Sequence, residues 1–204
     1  MARATRLPAE ERRAAILAAT EPLVMQYGRE VSTRQIADAA GIAEGTIFRV
    51  FPNKDAVIDA VIEEAFDTRQ TVASLMAIDP DLDLSTRLAQ AVEILEARMR
   101  RVVAMFGALR GSPAPPPSSS AHESHERRGR ESNAKITMAL TAVIGPEAAS
   151  LRIPVEHAAD LLRGLVFTVT HPAIGATFSD EPPVIVDIVL HGILTPSTQE
   201  SRPC

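Results

Sequence analysis

The chain has 204 residues and a formal net charge of −5, and its 46% apolar and 23% charged residues are ordinary for a soluble protein of one or two domains. Aromatic residues make up only 3% and Trp is absent, which favours closely packed helices with aliphatic, alanine-rich cores over sheets. No apolar run approaches the ~20 residues of a membrane-spanning helix, the N-terminus lacks the apolar stretch of a secretion signal, and Cys204 has no partner cysteine. We therefore expect a cytoplasmic protein with no membrane partner.

The first predicted helix begins near Pro8 or Glu10 and ends at Gly28. Proline is tolerated in the first turn of a helix, and acidic residues at the start complement the positive end of the helix dipole. Glycine is common just past a helix end. Apolar residues at helical spacing define the predicted inward face, namely Ile16, Ala19, Leu23 and Tyr27.

Residues 32–54 predict two short helices bent around a glycine. Ser32 and Gln35 have the spacing of a capping box, in which each side chain bonds the backbone N–H of the other residue. Gly41 permits the left-handed backbone that ends the first helix. The second helix is predicted over residues 44–51, with Thr46, Phe48 and Arg49 facing outward.

Asn53 is expected to cap the next helix, which carries Val57, Val61 and Ala65 on one face and continues to about Ala77. A longer helix is then predicted from Asp83 to Leu109, where apolar residues recur in steps of three and four. Its predicted inward residues are Leu84, Leu88, Val92, Leu95, Met99, Val102, Phe106 and Leu109.

A stretch rich in proline and serine follows Gly111, and we expect a mobile loop over about residues 111–122. Further helices are predicted at about 126–144, 154–171 and 183–194. The last of these would suit a buried strand as well as a helix. We expect a helix because the chain offers no partner strands, and the predicted fold class is therefore all-α.

The N-terminal motifs resemble the DNA-binding domain of the TetR (tetracycline-repressor-like) family of transcriptional regulators. The resemblance covers about the first third of the chain, and its matching positions are residues 13–19, 28, 36–37, 40–41, 45–48, 51, 54 and 56–61. It implies an N-terminal three-helix helix-turn-helix domain at residues 9–70 and a C-terminal helical effector-binding and dimerisation domain at residues 78–198. It also implies a sequence-specific repressor, without enzyme activity, that a small molecule releases from a palindromic operator.

The predicted DNA contacts follow from how helix-turn-helix proteins bind, with the second helix in the major groove and helix starts and basic side chains at phosphates. Periodicity assigns Thr46 and Arg49 to DNA, and the resemblance places Phe48 there as well. The full predicted set is Thr33, Arg34, Glu44, Gly45, Thr46, Phe48, Arg49 and Lys54. A solvated role for the basic residues and a core role for Phe48 are the alternatives. Local charge agrees, since residues 1–54 hold eight Lys/Arg against six Asp/Glu while the rest is acidic.

Two positions depart from the family pattern. Ala43 stands where the family usually has a capping Ser or Thr, which removes a cap worth about 0.5–2 kcal/mol. Glu44 offsets part of this loss through the helix dipole. Phe48 replaces the usual tyrosine and has no hydroxyl to donate to phosphate, although it can pack against a sugar or a thymine methyl group.

One reading helix contacts too few base pairs to be specific alone, so we expect a homodimer on near-palindromic double-stranded DNA. The last two helices offer an apolar surface for a four-helix interface. The predicted interface residues are Leu161, Leu165, Val184, Ile188, His191 and Leu194.

The resemblance also implies a cavity for a small, apolar effector in the C-terminal domain, whose binding shifts the helix after the reading pair. Methionine and phenylalanine suit an adaptable apolar pocket. The candidate lining residues are Met99, Phe106, Met138, Phe167, Thr168 and His171. Ordinary core packing is the alternative role for these residues.

We expect no cofactor and no metal, because His122, His125 and His157 lack nearby cysteines or carboxylates at ligand spacing. No nucleophile motif, phosphate-binding glycine loop or paired-carboxylate motif is present in the sequence. Two other functions stay open at this point. One is a dimeric DNA-binding regulator without an effector, and the other is a small helical enzyme or scaffold.

Overall fold

The computed structural model describes residues 8–110, 119–171, 174 and 181–193. Within these ranges the chain is helical with no β-strand, which confirms the predicted all-α fold. Two short 3₁₀ turns cover Gly28–Glu30 and Gly145–Ser150. The helices are α1 (Ala9–Tyr27), α2 (Thr33–Ala40), α3 (Glu44–Ile47), α4 (Lys54–Phe66), α5 (Arg69–Met76), α6 (Leu84–Leu109), α7 (Ser119–Ile144), α8 (Val155–Thr170) and α9 (Pro182–Ile193).

The chain divides into two compact units. The first unit takes the residues up to Asp67 together with Arg101–Pro116, and the second takes Thr68–Arg100 and the residues from Pro117 onward. Each unit has its own aliphatic core. The fully buried apolar residues of the first core include Ile16, Val24, Ile36, Ile47, Val57, Ile58 and Met105. Those of the second include Leu88, Val92, Leu140, Leu162 and Ile185.

The inward face of α1 differs from the one predicted. Tyr27 is exposed and Leu23 is only half-buried, whereas Thr20 and Val24 are fully buried. Thr20 is tolerated in the core because its hydroxyl donates a 2.7 Å hydrogen bond to the carbonyl of Ile16 one turn earlier. Apolar spacing alone had therefore placed the face one position away from where it lies.

The helix predicted to run from Asn53 to Ala77 is interrupted. α4 ends at Phe66 because Asp67 takes an extended backbone, with φ −63° and ψ 134°, and α5 begins at Arg69. Asp and Thr are weak helix formers, and Thr68 is buried at the break. The predicted buried face of α4 is confirmed, since Val57 and Ala65 are inside the first core.

The predicted boundaries of the later helices are mostly close to those observed. Asp83 caps α6, because its carboxylate accepts hydrogen bonds from the backbone N–H and the hydroxyl of Thr86. The end of α6 is rotated from the prediction, since Met105 is buried and Phe106 is 55% exposed. α7 begins at Ser119, seven residues before the predicted start at Glu126. Four residues of the predicted loop are thus helical, and residues 111–118 lie outside the described part of the chain.

The second unit contains a buried arginine. The guanidinium of Arg87 donates to the carbonyl oxygen of Pro80 at 2.9 Å and to that of Ile144 at 3.4 Å, and it forms an ion pair with Glu147. Arg87 is only 2% exposed, so its charge is compensated almost entirely by protein groups. One side chain therefore joins the loop before α6, the end of α7 and the 3₁₀ turn.

Candidate nucleic-acid interface

The turn between α2 and α3 has the predicted helix-turn-helix geometry. The Ser32 hydroxyl accepts the Gln35 N–H at 3.2 Å, and the Gln35 side chain accepts the Ser32 N–H at 2.8 Å, which completes the capping box. Gly41 has φ 65° and ψ 33°, the left-handed conformation that ends α2. Ile42 then donates its N–H to the carbonyl of Ala37 at 3.0 Å. These bonds fix the angle at which the chain leaves α2.

The reading helix α3 is shorter than predicted, because regular α-helix stops at Ile47 and not at Phe51. Tight turns continue it, with Val50 and Phe51 both donating to the carbonyl of Ile47 at 2.9 Å. Ala43 provides no side-chain cap, as expected from its methyl group, so this short helix depends on tertiary packing. Ile47 and Phe51 supply that packing from inside the core.

Packing also holds the end of this segment from the side. The guanidinium of Arg13, on α1, lies 5.0 Å from the centroid of the Phe51 ring, within cation–π distance. Ile36 and Ala37 of α2 are buried in the same core. The segment is therefore held in position by side chains of α1 and α2.

The outward surface carries most of the predicted DNA contacts. Arg34, Gly45 and Arg49 are exposed, and Phe48 keeps 49% of its surface in solvent despite its apolar ring. Thr46 is half-buried. A methyl group added at Gly45 would meet nothing within 4 Å. The core role considered for Phe48 does not apply within this chain.

Two of the predicted contacts bond to each other. The hydroxyl of Thr33, at the start of α2, donates to the carboxylate of Glu44, at the start of α3. The pair links the beginnings of the two helices on the exposed side of the turn. The sequence predicts a DNA contact for each of the two residues, and nothing in the sequence predicts the hydrogen bond between them.

The start of α4 holds the last predicted contact. The Asn53 side chain accepts the Ala56 N–H at 2.8 Å, as predicted for a cap. The Lys54 ammonium donates to the carbonyl of Arg29 at 2.9 Å, and Arg29 in turn pairs with Asp59 at 2.7 Å. An ammonium carries three donors. Lys54 is thus fixed in place by one N–H and keeps two others for an anion.

The candidate effector residues are spread over several surfaces. Met138 is 72% exposed, Phe167 and Thr168 are exposed on α8, and Met99 is half-buried. Phe106 meets the ring of Phe66 edge-on, with centroids 5.2 Å apart. Phe167 and His171 are neighbours, with centroids 5.3 Å apart. Phe167 and His171 are thus brought together, and the pocket stays a prediction.

The candidate dimer residues lie on α8 and α9. Leu161 is 56% exposed, Val184 and Ile188 are also exposed, and Leu165 is half-buried. His191 is exposed, and its Nδ1 lies 2.9 Å from the carboxylate of Asp187 one turn earlier. Leu194 lies outside the described residues. The interface stays a prediction.

Across the described ranges, no three His, Cys, Asp or Glu side chains come together as a metal site would require. None of the described helices is both long and apolar enough to cross a bilayer.

Comparison with known proteins identifies the reading unit. Residues 16–61, which run from within α1 to beyond the middle of α4, match the family model "Bacterial regulatory proteins, tetR family". The N-terminal domain belongs to the TetR family. The match supports a DNA-binding transcriptional regulator, and the recognition made from the sequence motifs of this domain is confirmed.

Several solved structures share the fold over nearly the whole chain. A transcriptional regulator from Rhodococcus sp. is 22% identical, with a TM-score of 0.60, and covers 90% of this chain and 99% of its own. NalD, the secondary repressor of a multidrug efflux pump in Pseudomonas aeruginosa, is 16% identical, with a TM-score of 0.54, over 93% and 98% of the two chains. SmeT, solved in complex with triclosan, is 18% identical, with a TM-score of 0.57, over 95% and 99%. At these identities the likeness concerns the fold alone.

Proposed function

We propose that the protein is a homodimeric repressor that inserts α3 into the major groove of a near-palindromic operator. The observation that carries the proposal is the capped, glycine-bent turn, which holds Phe48 and Arg49 outward over a fully buried Ile47. Arg34 and the anchored Lys54 are suitably placed at helix starts for phosphate contacts. We assign DNA binding to residues of about 9–70, and effector binding and dimerisation to residues of about 78–198.

DNA binding is tested by selecting bound sites from random duplexes and measuring affinity at two salt concentrations. A specific regulator yields a palindromic motif, and its affinity falls steeply with salt because phosphate contacts release counterions. Arg49→Ala is expected to weaken binding to the selected site by about 1–3 kcal/mol if Arg49 reads a guanine. Arg127→Ala is the matched control, since Arg127 is an exposed arginine on α7. Equal affinities for the two variants would contradict the role of Arg49.

The dimer is supported by the exposed apolar side chains of α8 and α9, including Leu161 and Ile188. Burying such surface stabilises an interface by about 25 cal/mol per Å². Ile188→Glu should therefore give a monomer in sedimentation equilibrium at micromolar concentration. Met138→Glu, which places the same charge on exposed apolar surface of α7, should stay dimeric. A wild-type monomer, or an equal effect of both changes, would contradict this interface.

Release by an effector is supported by the fold relative SmeT, which is described in complex with triclosan. We therefore use triclosan and similar apolar compounds as probes. A ligand that binds the folded state raises the unfolding temperature, and an effector also lowers operator affinity, by about 5- to 150-fold for a coupling of 1–3 kcal/mol. The outward position of Met138 favours a second candidate, a regulator without an effector. A panel that changes neither the unfolding temperature nor DNA affinity would support that candidate.

A further inference from the structure

The hydrogen bond between Thr33 and Glu44 changes what each residue offers to DNA. A threonine hydroxyl has a single proton to donate. In this structure the proton goes to the carboxylate of Glu44, so the hydroxyl is not a donor to phosphate. Thr33 instead restricts the orientation of an exposed carboxylate at the first position of α3.

The position of Glu44 is one from which base edges are read. In helix-turn-helix proteins the N-terminal residues of the second helix reach the bases, while flanking elements contact the backbone. Glu44 is the first residue of α3, and Ala43 before it has no polar group that would compete for the same partner. The carboxylate is therefore held at the end of the helix that enters the groove.

An ionised carboxylate only accepts hydrogen bonds, which limits its partners in DNA. Phosphate oxygens are acceptors and repel it. In the major groove guanine presents two acceptors, thymine presents one acceptor and a methyl group, and adenine places an acceptor nitrogen beside its amino group. Cytosine presents the N4 amino donor with no acceptor beside it. Cytosine is thus the base whose edge fits Glu44.

We propose that Glu44 reads a cytosine in each operator half-site and that Thr33 is the positioning residue that orients its carboxylate. This inference rests on the proposed function, because it requires α3 to lie in the major groove. The competing role for Glu44 is purely local, since an acidic side chain also stabilises the positive end of an uncapped helix. The two roles differ in whether base preference changes when the side chain is replaced.

The test compares sites selected from random duplexes by the wild type, Glu44→Ala and Glu44→Gln. Glu44→Ala should lose a cytosine preference at one symmetric pair of positions and leave the other positions unchanged. Affinity for the wild-type site should fall about 5- to 150-fold for each half-site, as for loss of one base contact in each. Glu44→Gln should shift the preference toward adenine, because an amide pairs with the adenine N6 and N7.

Threonine variants test the positioning role. Thr33→Val removes the hydroxyl and should weaken the same cytosine preference. Thr33→Ser keeps the hydroxyl and should retain the preference of the wild type. A cytosine analogue without the 4-amino group, placed in the selected site, should lower wild-type affinity but leave Glu44→Ala unaffected. Thermal unfolding of each variant separates these effects from loss of folded protein.

Three results would overturn the inference. An unchanged motif with Glu44→Ala, or a uniform change in affinity for all duplexes, assigns Glu44 to charge or helix stability alone. Equal motifs with Thr33→Val and the wild type remove the positioning role. If the wild type selects no motif at all, the proposed function and this inference both fail. If the wild type selects a motif that Glu44→Ala leaves unchanged, this inference alone fails.

Discussion

Each of the two units is stabilised internally by a different kind of interaction. In the first, polar side chains bond to nearby backbone N–H groups at the starts of two helices, as Ser32 does at α2 and Asn53 at α4. In the second, long helices pack through aliphatic side chains such as Val92 and Leu162. Local bonds fix the directions of short helices, whereas aliphatic packing is nondirectional and proportional to area. The first arrangement suits a surface that must match a rigid duplex, and the second suits the association proposed for α8 and α9.

The largest expected effect is on the free energy of unfolding, and it tests whether apolar core packing holds the reading helix α3 in place. Ile47→Ala should lower the free energy of unfolding by about 2–5 kcal/mol, since Ile47 is fully buried. Met138→Ala, at a largely exposed site of the second unit, should change it by less than about 0.5 kcal/mol. Urea denaturation of both variants measures the difference. A small loss with Ile47→Ala would mean that α3 is held by its polar bonds instead.

Two glycines of the first unit separate the contribution of its turn from that of regular helix, because the same change should have opposite effects on stability at the two positions. Gly41→Ala meets no atom within 4 Å, yet it forces a left-handed backbone on alanine and should destabilise by about 1–2 kcal/mol. Gly107→Ala, inside α6 with equally open space, should stabilise by about 0.5–1 kcal/mol. Thermal unfolding gives both values. If both variants are stabilised, the turn is not specified by its glycine.

The smallest expected effect concerns acid stability in the second unit. The Thr137 hydroxyl donates to the carboxylate of Asp160 at 2.7 Å and, with a further contribution from Arg163, lowers the pKa of Asp160 below 3.8. A lowered pKa stabilises the folded state above pH 3.8, and that contribution is lost as the pH falls through the lowered value. Thr137→Val should therefore reduce stability near neutral pH but flatten its decline in acid.

Denaturation of Thr137→Val across the range from neutral pH to below pH 3.8 measures this slope. Asp160→Asn is the control, because it removes the titrating group and should flatten the same part of the curve. Asp160 is half exposed, so the effect is small and screened by solvent. An unchanged slope in both variants would assign the acid sensitivity to other carboxylates.

Features with local causes were predictable from the sequence. The capping box, the conformation of Gly41 and the cap at Asn53 each depend on residues within a few positions, and all are confirmed. The bonds from Lys54 to Arg29 and from Thr33 to Glu44 join residues 25 and 11 positions apart. No local sequence pattern marks partners so far apart, so the hydrogen bonds that hold Lys54 and Glu44 in position were not predictable.

The predicted face of α1 and the predicted end of α4 are wrong, and a polar residue is the cause in both helices. Thr20 lies inside because it satisfies its own hydroxyl, and this shifted the buried face of α1. The break at Asp67 was missed because apolar residues continue at helical spacing on both sides of it. Apolar periodicity predicts that helices exist more securely than it predicts their ends or their rotation.

The buried guanidinium of Arg87 has a consequence for local opening of the second unit. Two backbone carbonyls, those of Pro80 and Ile144, and the side-chain carboxylate of Glu147 are bonded to this single side chain. Releasing any one of them leaves the charge in an apolar interior without full compensation. The amide hydrogens of the residues that neighbour Pro80, Ile144 and Glu147 in sequence should therefore exchange with deuterium together, at one common rate, as a single cooperative element rather than as independent loops.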